Sequence, residues 1–380
     1  MNTSLVIDFV RDTFKSRDFI PLHAPFFGIN EKKYLNECID STYVSSVGSF
    51  VSEIEIELKN KLNCKHAVAI VNGTAALQVA LKLSGVERET EVLTQALTFV
   101  ATANAISYLG AIPIFLDVDM DTMGLSPTSL VHFLEEFGEL RENGLFNKSS
   151  GRKITACLPM HTFGFSARIE DIVRICSQWK IPVVEDSAEA LGSMSGNQYL
   201  GTFGSCGVFS FNGNKIVTAG GGGMLITNRE EMGIHAKHLT TTAKVPHPYE
   251  FVHDEIGYNY RMPNLNAALL KAQFEQLDWM LSKKRELAMK YNSFFVNSEI
   301  ELKWEIPGPK ANFWLNTIQL ESKEYRDLFL EETNKKGVMT RPVWQLMFHL
   351  PMYKQCQKDN QQNAQFLADR LINLPSSIHQ

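Results

Sequence analysis

Seven short apolar runs, rich in strand-forming residues, fall between residues 66 and 228, and helix-like stretches separate most of them. They are HAVAIVN from His66, EVLTQ from Glu91, IPIFLDV from Ile112, ITACLPM from Ile154, IPVVEDS from Ile181, CGVFSFN from Cys206 and GGMLITN from Gly222. TAALQVALKLS after Gly73 and ARIEDIVRICSQWK from Ala167 are two of the intervening helical stretches. A crossover helix carries the chain back to start the next strand in the same direction. The expected fold is therefore α/β, a mostly parallel seven-stranded sheet covered by helices on both faces. In such sheets ligands sit outside the carboxyl ends of the strands. The last two runs are joined by a loop with no room for a full helix, so one antiparallel strand is expected there.

After about residue 250 the pattern changes. One long helical segment is expected from Leu265 to about Tyr291, then a strand at Trp314–Leu320, a helix at Lys323–Lys336 and a strand at Gly337–Arg341. This reads as a smaller α/β domain over 251–380, following a large domain over 1–250. The amphipathic N-terminal stretch, within segment 1–30, is a candidate to pack on the small domain.

Three segments at strand ends carry chemistry. Asn72-Gly73-Thr74-Ala75-Ala76 ends a strand and starts a helix. A helix start offers unpaired N–H groups and a favourable dipole, so it reads as a phosphate cradle or as an ordinary capped helix. Val183-Val184-Glu185-Asp186-Ser187-Ala188-Glu189 delivers acids at a strand end. A carboxylate there binds a metal, acts as a base, holds a protonated ring nitrogen, or merely caps a turn. Phe209-Ser210-Phe211-Asn212-Gly213-Asn214-Lys215 brings a lysine just before the glycine run Gly220–Gly223. Lysine's amine becomes a nucleophile when a site deprotonates it or binds it as a Schiff base. A phosphate cradle, a strand-end Asp and a lysine, in that order, are the parts that a pyridoxal-phosphate (PLP) site requires.

On NGTAALQVAL, TFVATANAI, FLDVD, EDSAEALG, FSFNGNK with GGGGM, and GYNYRMPNLNAAL, the chain resembles the DegT/DnrJ/EryC/StrS family of sugar aminotransferases from about Pro21 to Pro375. The resemblance implies a fold-type-I PLP enzyme with Lys215 as the Schiff-base lysine and Asp186 on the pyridine nitrogen. It places Gly73, Thr74, Ala75 and Ser210 at the cofactor phosphate and Phe99 against the ring. Asn259 is expected to reach the site of the other subunit in a homodimer. Many members carry Gln or His where this chain has Glu189, beside the cofactor's phenolic oxygen. An ionised Glu there would be repelled unless protonated or turned away. LPMHTFGF from Leu158 and AKVPHPYEFVHDE from Ala243 are most similar to enzymes of bacterial surface-glycan pathways, the legionaminic-acid type in particular. The implied substrates are a UDP-linked 2-acetamido-4-keto-2,6-dideoxyhexose and L-glutamate, which exchange an amine by a ping-pong route. His161, Lys244, His253, Arg261 and Arg341 are candidate substrate contacts. A PLP-dependent sugar dehydratase is a rival on the same scaffold, but those relatives have His in place of the lysine. A non-catalytic PLP- or sugar-binding regulator is a rival of another class, opposed by the complete catalytic set.

Other function classes lack support. A formal net charge of −5 shows no basic excess for nucleic acid. The six cysteines form no C-x-x-C pair and read as reduced thiols. His235-x-x-His238 puts two imidazoles on one helix face, but no third ligand is apparent, so no metal is expected. No apolar run reaches the ~18 residues of a membrane span. The N-terminus carries Asp8, Arg11 and Asp12 and reads as an amphipathic helix, so the expected location is cytoplasmic.

Overall fold

The computed structural model describes residues 2–378. All seven expected strands form: β1 His66–Ile70, β2 Glu91–Gln95, β3 Ile112–Leu116, β4 Lys153–Leu158, β5 Val184–Asp186, β6 Cys206–Ser210 and β7 Gly223–Thr227. Their order across the sheet is β1-β7-β6-β5-β4-β2-β3. Neighbours run parallel except at β7, which is antiparallel to both β1 and β6. The chain turns back between Ser210 and Gly223 without a crossover helix, so β7 has to run the other way.

β5 is only three residues long and meets β4 through two isolated bridges, Cys157 to Val183 and Met160 to Asp186. The start of β4 is left open on that side. A hairpin of Gly138–Arg141 and Gly144–Asn147, which the sequence pattern does not anticipate, fills the gap by pairing Leu145 with Ile154.

Alternation along the strands buries both faces. Val208 and Leu225 pack with the helix Gly73–Leu83, while Phe209, Met224 and Ile226 join the apolar cluster on the opposite side. That second cluster takes in the helices Ser49–Leu62 and Asn264–Phe274. Strand residues facing apolar neighbours on both sides are what a helix-covered parallel sheet demands.

The single long helix expected from Leu265 is two helices, Asn264–Phe274 and Leu277–Phe295. The break at Glu275 and Gln276 carries polar contacts in place of apolar ones. Glu275 accepts from Tyr34 Oη and Asn30 Nδ2, and Gln276 Nε2 donates to Glu31. A second sheet, all antiparallel, orders Glu301–Leu302, Asn316–Gln319, Leu371–Leu374 and Arg341–Pro342. Its outer strand starts later than the Gly337 expected from sequence, because Val338 bridges to Ile20 instead. The N-terminal helix Thr3–Phe14 buries Val6, Ile7 and Val10 against Tyr291, Ile318, Phe329 and Ile372. Among the described residues no helix is long and apolar enough to cross a membrane, and all six cysteines are free thiols.

Candidate active site

The carboxyl ends of β1, β5 and β6 meet at a cavity of about 290 Å³. Of the residues singled out in the sequence, Gly73, Thr74, Phe99, Asp186, Glu189, Ser210 and Lys215 line it.

Asn72 caps the helix that begins at Gly73. Its side chain accepts from the Ala75 N–H at 2.8 Å, and its carbonyl accepts from the Ala76 N–H. The amides of Gly73 and Thr74, at the positive end of the helix dipole, remain for an anion. Ser210, at the end of β6, comes very close: a Cβ on Gly73 would lie 2.9 Å from the Ser210 Cβ. Gly223 is constrained in the same way, since a Cβ there would sit 2.5 Å from the Asn72 carbonyl carbon. Glycine at 73 and 223 thus lets two backbone segments pack tightly enough to aim a helix start and a hydroxyl into one space.

Asp186 is 2% exposed. Thr102 Oγ1 donates to its Oδ2 at 2.7 Å, and the Ala188 N–H donates to its Oδ1 at 3.2 Å. Burial pushes the carboxyl above its ordinary range, against the pull of the Thr102 hydrogen bond. A cation beside it would relieve that cost. Lys215 closes a tight turn, with its N–H donating to the Asn212 carbonyl. Its Nζ lies 3.4 Å from Glu189 Oε1 and 4.0 Å from the centre of the Trp314 ring. Trp314 also holds the turn itself, as its Nε1 donates to the Asn214 carbonyl at 2.7 Å. Phe99 is 49% exposed at the cavity mouth, edge-on to Trp344, and is not a core residue.

Glu189 accepts from the Phe163 N–H through Oε2. Burial, opposed first by the charge of Lys215, raises its carboxyl to about 7. It is thus poised to carry a proton near neutral pH.

Several expected contacts lie elsewhere. The Ala75 amide is used by the Asn72 cap, so it is not available to a phosphate. His161 is fully buried behind β5. Its Nδ1 accepts from the Ala167 N–H, so its Nε2–H donates to Glu185, and no ring atom is left for substrate. Lys244 and His253 pair across a short hairpin, where Lys244 lies over Phe251 and His253 faces the Thr242 carbonyl. Arg261 donates to the Ser46 carbonyl, and Arg341 donates to Asn334 and Thr340 on the second sheet. Asn259 is exposed outside the cavity, bridged to Thr241. None of these lines the cavity of its own chain.

Sequence reading missed Thr102, Trp314 and Trp344. Thr102 lies one helical turn after Phe99 and was findable by that spacing. Trp314 was not findable, because it meets Asn214 across 100 residues.

The residues fit PLP. Gly73, Thr74 and Ser210 offer donors to a phosphate, Asp186 is a buried anion in want of a cation, and Lys215 reaches in from the turn. Fold and site together define a PLP-dependent aminotransferase. Residues 27–379 match the model of the DegT/DnrJ/EryC1/StrS aminotransferase family, and the chain belongs to that family. The GDP-perosamine synthase of Escherichia coli O157:H7 is 35% identical over 358 residues, covering 94% of this chain and 93% of that protein. The GDP-perosamine synthase of Vibrio cholerae is 32% identical over 360 residues, covering 94% of each. Among solved structures, Helicobacter pylori PseC, an aminotransferase involved in pseudoaminic acid biosynthesis, superposes with a TM-score of 0.85 at 23% identity, covering 94% of each chain. The PLP form of Streptococcus pneumoniae Spr1654 has a TM-score of 0.85 at 22% identity, covering 95% of this chain and 94% of that one.

Two substitutions probe the buried acids. Asp186→Asn should keep the fold and cofactor binding yet lower kcat by about 100-fold or more, because a neutral amide cannot stabilise a ring cation. Near-wild-type turnover by a PLP-loaded variant would give Asp186 another job. For Glu189, the native state keeps a proton that the unfolded state releases above its ordinary value of 4.5. Stability therefore falls as pH rises from about 4.5 to about 7 and is flat above, an effect on the order of 3 kcal/mol at most. In Glu189→Gln this slope should be markedly reduced in urea denaturation of the cofactor-free protein, Asp186 and Asp359 still contributing, with PLP affinity held within a few-fold. An unchanged slope, or a large loss of PLP affinity, would contradict it.

Proposed function

We propose that this sugar aminotransferase moves the amino group of L-glutamate to C4 of a nucleotide-linked 4-keto-6-deoxy sugar, with UDP-2-acetamido-4-keto-2,6-dideoxyhexose as the acceptor. The product serves a surface-glycan pathway of the legionaminic-acid type. One observation carries the chemistry: Lys215, Asp186 and the helix start at Gly73 converge on one cavity. Residues 1–250 supply most of that cavity, and Trp314 and Trp344 reach in from the 251–380 domain.

Gly73, Thr74 and Ser210 would hold the phosphate of PLP, Phe99 would lie against its ring, and Asp186 would keep the ring nitrogen charged. When bound, PLP supplies an electron sink for the carbon that loses its proton. Lys215 Nζ takes the proton from the α-carbon of glutamate and later delivers one to C4 of the sugar, acting as base and then acid. Its neighbour Glu189, titrating near neutrality, buffers the charge of that amine. Trp314 and Trp344 line the cavity and would exclude water from it. The names of the Escherichia coli and Vibrio cholerae relatives favour a second reading, in which the sugar is linked to GDP.

The acceptor is tested by incubating the enzyme with PLP, L-glutamate and a panel of UDP- and GDP-linked 4-keto-6-deoxy sugars, with mass spectrometry of the products. Amination of the UDP-acetamido sugar is expected. Amination of GDP sugars alone would select the second reading, and no turnover on either would overturn both. Borohydride reduction of the PLP-loaded enzyme without L-glutamate should fix the cofactor on the peptide containing Lys215.

We also propose a homodimer with shared sites. Asn259 is exposed and outside its own cavity, on a segment that leaves Tyr249, Phe251 and Ile256 at least 80% exposed. Apolar side chains gathered in this way favour burial against a second copy. Lys215→Ala and an inactive Asn259 variant should complement on mixing. One site of the mixed dimer collects both lesions and the other has none, so up to about half the activity per heterodimer returns. If verified subunit exchange restores nothing, Asn259 serves its own subunit.

A further inference from the structure

The cavity accounts for neither of the two histidines on the helix Glu230–Thr240. His235 and His238 lie one turn apart, and sequence alone offers them no third partner. Folding supplies one. The strand Val252–His253 returns beside this helix and delivers Asp254 and Glu255 to its exposed face. His238 Nε2 lies 2.7 Å from Asp254 Oδ1 and 3.7 Å from Glu255 Oε1. His235 Nε2 lies 2.8 Å from the same Glu255 oxygen. Ligand atoms of His238, Asp254 and Glu255 all fall within 4.8 Å of one another.

We propose that His238, Asp254 and Glu255 form a binding site for a divalent transition-metal ion of the zinc type, with His235 hydrogen-bonded to Glu255 beside it. The geometry fits. An ion bound tetrahedrally at about 2.0–2.1 Å holds its ligand atoms roughly 3.3 Å apart, and the contacts here straddle that spacing. The donors fit too. Imidazole mixed with carboxylate suits zinc, cobalt or nickel better than magnesium or calcium, which take oxygen. Asp254 and Glu255 both approach His238, so two carboxylates and an imidazole face one space at the surface. Exposed ion pairs alone would do little to hold that arrangement. His238 is about a quarter exposed, so an ion can enter from solvent.

The site would pin the segment around residues 252–255 to the helix. The same segment continues to the bridge between Thr241 and Asn259. The metal thus acts as a clasp on this surface loop, outside the cavity of its own chain. Its existence does not depend on the acceptor sugar or on the dimer.

The experiment uses full-length, untagged, PLP-loaded protein stripped with a chelator. Cys356→Ser serves as background, because Cys356 is the one cysteine that is not fully buried. Zinc is titrated against a chromophoric chelator, and Co²⁺ in parallel by visible absorption. The expected result is one equivalent per chain with a dissociation constant of about 10 μM or tighter. Weak cobalt bands without thiolate charge transfer should accompany it. His235→Gln with His238→Gln should weaken binding by about 100-fold, with circular dichroism and the PLP absorbance unchanged. Should that double variant fold poorly, Asp254→Asn alone should cost at least about tenfold and remove the rise in Tm on adding zinc. Absence of stoichiometric binding, or equal affinity in the folded variants, would overturn the site and leave two hydrogen-bonded ion pairs.

Discussion

The close approach of Asn72-Gly73 to Ser210 and Gly223 is the contact on which the site depends. It joins the ends of β1, β6 and β7, and there is no room for a side chain at Gly73 or Gly223. The antiparallel β7 is what makes this approach possible. Because it sits between β1 and β6, its first residue passes directly beside the helix start. The turn that reverses the chain to form β7 is the turn that presents Lys215. A single topological event therefore sets both the anion cradle and the lysine opposite it.

The buried acids at the end of β5 and just beyond it show how position divides chemistry among similar groups. Glu185 is fully satisfied: it accepts N–H bonds from Gly201, Phe203 and Gly204, each at 2.7 Å, and one from His161. It is a strut. Asp186, one residue on, points the other way along the strand and faces the cavity with two donors. Glu189, beyond the strand, has one backbone donor and a lysine amine, and burial keeps it near the point of protonation. The number of donors each finds decides which is inert, which is an anion waiting for a cation, and which exchanges a proton.

A buried lysine amine ties the smaller sheet to this arrangement. Lys284 Nζ donates to the carbonyls of Trp314 and Ser376, and burial holds its amine well below the ordinary range. Trp314 is thereby fixed through its backbone while its ring lies under Lys215 and its Nε1 holds the lysine turn. The second sheet thus contributes directly to the surroundings of Lys215.

The seven strands, the antiparallel one among them, and the order of cradle, aspartate and lysine were legible in the sequence. They depend on period-two burial, turn residues and chain connectivity, which are local. Glycine at 73 and the acid at 186 were legible for the same reason. The sequence left both readings of Asn72–Ala76 open, so it could not say that the local cap takes the Ala75 amide; nor could it exclude His161, whose partner Glu185 its own segment does not reveal. Nor could it find Trp314, or the acids that join His235 and His238. Each of those pairings is made between elements brought together by packing, and packing is decided by the whole core at once. The sequence by itself determined the sheet and which residue types stand at its carboxyl edge. Only the tertiary structure decided which of them face the cavity and which are already satisfied, because hydrogen-bond partners and burial are properties of neighbours in space.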